Sequence, residues 1–209
     1  MFKVEKIQFN KVEVHLLYYS DFDVKEHFHN LLPHEKETLE SFSSENRRME
    51  YVATRVLRTM TFGNEQILYS EIGAPYIISE GFVSISHAYN VVGLAFCQDF
   101  QVGLDLEPIR EKVLSVKHKF LSKDETRDLD INDVTEMTKV WSGKEALYKL
   151  AGRKGIIFAK ELLLTKDKTY ADLWHGAIIN GNKEKTVTLS ITQRDNFVIS
   201  VNIEAPKDE

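Results

Sequence analysis

The sequence holds a single cysteine, Cys97, in 209 residues. No internal disulfide can form, which agrees with a reducing compartment, and its place in an apolar run reads as a small core residue. Long uncharged apolar runs are also missing, and Lys3, Glu5 and Lys6 break up the apolar residues at the start. Neither a membrane span nor a secretory leader is therefore expected, and the chain reads as cytoplasmic with no membrane partner. Positive charge is not in surplus either. The formal net charge is −5, which argues against a nucleic-acid binder working through bulk charge. There is no phosphate-loop signature and no dinucleotide fingerprint opening a helix. The absence of a Gly-x-Ser-x-Gly elbow counts against a common hydrolase. His27, His29 and His34 lack the clean spacing of a metal site.

What is present begins with 43% hydrophobic residues, ample for one large domain or two small ones. Val102-Gly103-Leu104-Asp105-Leu106-Glu107 alternates as a strand does, with Asp105 and Glu107 on one face beside Gly103. At i and i+2 the two carboxylates lie about 6.5–7 Å apart along the strand, and converging side chains could share one hard cation. Gly103 leaves room on that face for something large. A solvated edge strand would give the same pattern.

The spacing predicts further strands over 11–19, 67–70, 82–86, 91–96, 161–173 and 186–204, with a hairpin at Gln98-Asp99-Phe100 and a turn at Gly73-Ala74-Pro75-Tyr76. Pro108 is expected to stop strand pairing, and the polar tail from Ala205 to fray. Helices are expected from Pro33, from about Ser44 to Met60, and from about Val134 to Leu150 with Gly152 as a left-handed cap. Ser122 and Glu125 have capping-box spacing. Arg48, Arg55 and Arg58 recur at helical steps, as a stripe for a polyanion or simply as a solvated face.

Strand, helices, strands occurs twice. A shift of 90 lays Val12, Val14 and Leu16 on Val102, Leu104 and Leu106, and a shift of 89 lays Leu32, Glu35 and Arg55 on Leu121, Asp124 and Lys144. The match is weak. If it is real, the chain is a pseudo-dimer with halves at 1–100 and 101–209. His15 and Leu17 would then stand where the second half has Asp105 and Glu107, so only the second half could hold a cation.

In Trp141-Ser142-Gly143-Lys144-Glu145-Ala146-Leu147-Tyr148-Lys149, Glu145 and Lys149 share a helix face. A third carboxylate beside Asp105 and Glu107, with a lysine one turn on, suits magnesium-assisted chemistry on a pyrophosphate. Oxygen-rich ligands favour magnesium over zinc. His87, ending the strand of Ser84 and Ser86, could donate to a phosphate or simply be a satisfied structural histidine.

Taken in order, Ser84-Ile85-Ser86-His87, Val102-Gly103-Leu104-Asp105-Leu106-Glu107 and Trp141 through Lys149 resemble the three motifs of 4'-phosphopantetheinyl transferases of the surfactin-synthetase-activating (Sfp) type. The resemblance covers residues 47–155. It implies an α+β pseudo-dimer of two similar subdomains related by an approximate two-fold. The implied activity is magnesium-dependent transfer of the phosphopantetheine arm of coenzyme A to a serine of an apo carrier protein, releasing 3',5'-ADP. The alternative is a non-catalytic module that binds coenzyme A or a carrier protein.

By position, the resemblance assigns Asp105, Glu107 and Glu145 to the metal, with Glu145 also a candidate base. Lys149, Ser86 and His87 go to the pyrophosphate, Arg47 or Arg48 to the 3'-phosphate, and Gly73, Pro75 and Tyr76 to the neighbourhood of the adenine. Ala74 departs from the family, which often has Lys or Arg there. A pseudo-dimer needs no second copy, so a monomer is expected.

Overall fold

Alternating apolar residues in the first half assemble into one antiparallel sheet. The computed structural model describes residues 2–20, 22–79 and 81–208. The first sheet comprises β1 (Phe2–Phe9), β2 (Val12–Tyr19), β3 (Leu68–Tyr69), β4 (Pro75–Ile77), β5 (Gly81–Ala88) and β6 (Val91–Cys97), in the spatial order β1-β2-β6-β5-β4-β3. Between β2 and β3 lie α1 (Pro33–Glu40) and α2 (Glu45–Phe62). Ser44 caps α2 by accepting from the Arg47 amide, and Gly63, at φ 64, ends it. Leu17, Val52, Leu57, Val92 and Leu94 join α2 to the sheet.

The second half holds β7 (Leu104–Pro108), α3 (Lys112–Val116), α4 (Glu125–Asp128), α5 (Val134–Ala151), α6 (Phe158–Glu161), β8 (Leu162–Lys166), β9 (Leu173–Asn180), β10 (Lys183–Arg194), β11 (Phe197–Asn202) and β12 (Lys207–Asp208). Its sheet runs β7-β11-β10-β9-β8, with β12 on β10. That order repeats β2-β6-β5-β4-β3 strand for strand, and α2 and α5 are both 18 residues long. The result is an α+β fold of two antiparallel sheets with the same internal strand order. A third apolar cluster, including Val14, Leu16, Ala95, Leu104, Leu106 and Ile199, lies between the sheets. No helix among the described residues is long and apolar enough to cross a membrane.

Several expectations change. Gln98 to Phe100 do not turn a hairpin, because β6 and β7 belong to different sheets. The segment crosses between them and is pinned by Asn202, whose Oδ1 accepts from the Gly103 amide and whose Nδ2 donates to the Gln101 carbonyl, both at 2.9 Å. The pairing of β7 ends at Pro108, which is itself still paired, opposite Phe197. The amides of Leu104 and Leu106 point away from β11, so at the next even position the missing N–H loses no ladder bond. Residues 161–173 form parts of two strands rather than one, and the tail does not fray but adds β12. Pro75 and Tyr76 lie in a strand, the tight turn falling just before Gly73. β1 and β9 went unforeseen.

Candidate active site

Asp105 and Glu107 share a face of β7, and α5 covers that face. A side chain at Gly103 would collide with the Ala146 carbonyl oxygen and come within 2.9 Å of Leu150. The space that Gly103 frees is therefore filled by α5 itself. The close approach places Glu145 and Lys149, one turn apart, over the carboxylates of β7.

Asp105 is 6% exposed. Its Oδ1 accepts from the Ser86 hydroxyl and from the Lys149 ammonium, each at 3.2 Å, while its Oδ2 is buried without a partner. Lys149 also donates to the carbonyls of Leu104 at 2.5 Å and Ile85 at 3.4 Å. Burial, then the charges of Asp105 and Glu107, push the Glu145 carboxyl up to about 7 against the opposing pull of Lys149. Burial and Asp105 push Glu107 up to about 7 as well, although Trp141 donates a hydrogen bond to it. Three acids thus face one lysine, and the excess negative charge is held in low dielectric.

His87, near the end of β5, meets α2 of the first half. Its Nε2 lies 3.0 Å from Thr54 Oγ1, whose hydroxyl donates to the Glu50 carbonyl at 2.7 Å, so the imidazole is the donor. Burial, followed by the cations Arg47, Lys149 and Arg55, pushes its pKa down to about 4. His87 is therefore neutral at pH 7, on the rim of a positively charged hollow. Arg47, Arg55, Tyr69, Gly73 and Pro75 line that cavity with it. A neighbouring cavity, walled by Ala74, Tyr76, Ser84, Lys149 and Lys154, shares Gly73, Pro75 and Ile85 with the first.

The arginine stripe is not a single surface. Arg48 turns to the carbonyls of Leu39 and Phe42 and lines a different cavity. Arg55 and Arg58 are buried on Glu35, at 3.1 and 2.9 Å, and Arg55 also stacks on Tyr51. Lys144, next to Glu145 on α5, is fully buried and held by Glu125 at 2.7 Å. The sequence signalled the two acids only as residues of a helix's first turn. Nothing in it marked Arg55 as the cation beside His87.

Residues 101–193 match the model of the 4'-phosphopantetheinyl transferase superfamily. That span contains Asp105, Glu107, Glu145 and Lys149. No match among curated proteins is found.

Among the described residues no three His, Cys, Asp or Glu side chains form a ready-made metal cage. The donor set at the β7–α5 contact nonetheless fits a hard divalent cation. It offers only oxygens, Asp105 Oδ2 lacks a partner, and burial, then repulsion from Asp105, raises Glu107 and Glu145.

Proposed function

We propose that the protein transfers the phosphopantetheine arm of coenzyme A to a serine of an apo carrier protein, with magnesium as cofactor. The observation that carries this reading is the under-compensated trio Asp105, Glu107 and Glu145 beside Lys149, next to a cation-lined cavity. In the reaction the carrier serine oxygen attacks the phosphorus of the phosphopantetheine unit. The bond to the oxygen bridging the two phosphates breaks, and 3',5'-ADP leaves with that oxygen.

Glu145, one turn before Lys149 on α5, is the candidate base for the serine proton. Lys149 sets a positive charge where the pyrophosphate would lie. Arg47, which lines the cavity with His87, would meet the nucleotide phosphates, while Gly73, Pro75 and Tyr76 border the same region. Ala74 contributes no charge, and the cations lining its cavity are Lys149, Arg153 and Lys154. Asp105, Glu107 and Glu145 would hold the cation, which when bound neutralises phosphate charge.

The test is incubation with several apo carrier proteins, coenzyme A and magnesium. Mass spectrometry should show one phosphopantetheine added to a carrier, and chelation should stop the transfer. No addition to any carrier would sink the reading.

A further inference from the structure

β7 is an edge strand. Its partner on one side is β11, while the corresponding strand of the first sheet, β2, is flanked on both sides by β1 and β6. Among the described residues no strand equivalent to β1 pairs with β7. Unpaired strand edges are costly when buried, and here two side chains from the face of β5 replace the absent strand. Ser84 Oγ accepts from the Leu104 amide at 2.9 Å, and Ser86 Oγ accepts from the Leu106 amide at 3.0 Å. Lys149 bridges the seam from the other side by donating to the carbonyls of Leu104 and Ile85. Two amides of β7, flanking Asp105, are thus fixed in register by serines two residues apart on β5.

Ser86 also touches Asp105. Ser84 does not; it is 3% exposed, and its hydroxyl acts on the backbone alone. We infer that Ser84 is a positioning residue: by fixing the Leu104 amide it sets the height of Asp105 and Glu107 against Lys149 and the first-half cavity. The inference rests on the proposed transfer for its catalytic consequence, but its geometric content stands apart from it. Groups that orient ligands in this way typically matter 10–100-fold to metal affinity or activity.

The experiment compares wild type, Ser84→Ala and Ser84→Thr. The first measurement is hydrogen exchange of the Leu104 amide by NMR. It should accelerate in Ser84→Ala, stay slow in Ser84→Thr, and leave the amides of β11 protected in both. The second is the magnesium concentration for half-maximal transfer. It should rise roughly tenfold or more in Ser84→Ala and return toward wild type in Ser84→Thr, whose hydroxyl is retained. A loss of stability alone would lower the melting temperature without moving the magnesium dependence, and that outcome overturns the inference. Unchanged Leu104 exchange overturns it as well. If wild type transfers nothing, the proposed function fails, and the exchange measurement still decides whether Ser84 holds β7.

Discussion

Asp105, proposed above to hold the cation, also bears on the stability of the fold. After burial, its charge is the next cause that raises the pKa of both Glu107 and Glu145, so the native state holds charge it would rather neutralise. Asp105→Asn keeps the size of the side chain and removes one of the repelling charges. Transfer should fall by at least about 100-fold while the melting temperature stays at or above that of wild type, the trade expected where a strained site serves activity. Melting and transfer assays on one preparation check this, and a clear drop in melting temperature would mean that Asp105 holds the fold. His87 gives a pH dependence. Its folded pKa is pushed below the ordinary 6.5 to about 4, so its contribution to stability is complete above pH 6.5 and fades as pH falls toward 4. His87→Gln should flatten that limb of the urea midpoint against pH; an unaltered profile would assign the acid loss to other groups. At this scale the sequence disclosed residue types and spacing, hence Asp105, Glu107, Glu145, Lys149 and His87. It could not disclose which arginines are spent inside the protein, because helical steps of three and four fix a face and not what covers it.

At the scale of elements, the contact between α5 and β7 makes the site. Gly103 permits it, and the buried pair Lys144–Glu125 anchors α5 from the opposite side: Glu125 takes the Lys144 ammonium on Oε2 and the Leu164 amide on Oε1. Lys144→Ala would leave Glu125 buried beside two backbone amides with no counter-ion, a loss of about 3–5 kcal/mol by analogy with broken buried ion pairs. Chemical denaturation measures it. A loss under about 1 kcal/mol would show that Glu125 is neutral or hydrated in the variant. Gly103→Ala should act differently, by forcing α5 away from β7. Overpacking of this kind costs about 1–3 kcal/mol, and here transfer should fall further than stability does. The long helices α2 and α5 were legible because caps and apolar spacing agree, with Ser44 and Gly63 bounding one and Asp133 and Gly152 the other. The strand β9 was not, since its buried positions alternate among Trp174, Gly176 and Ile178, and a glycine seated against Leu147 carries no apolar signal.

For the whole molecule, the repeat was dim in sequence and plain in topology. Glu35 corresponds in role to Glu125 and not to Asp124: each reaches back to a backbone amide three residues earlier, at Leu32 and Ser122, and each pairs a cation from the long helix. Strand order and buried ion pairs survive where identities do not, because a period of two and an apolar face are all that a strand requires. The two sheets also share an apolar cluster in which Leu16 and Ala95 meet Leu104 and Leu106, so neither sheet can bury its face alone. Unfolding should therefore be a single cooperative transition. Both tryptophans, Trp141 and Trp174, lie in the second half, so their fluorescence follows that half, while far-ultraviolet circular dichroism follows both. The two curves should share one midpoint. Coenzyme A with magnesium, proposed to contact both halves, should raise both midpoints by the same increment. Separate midpoints would show two independently folding units, and a ligand shift confined to the tryptophan signal would place coenzyme A on the second half alone.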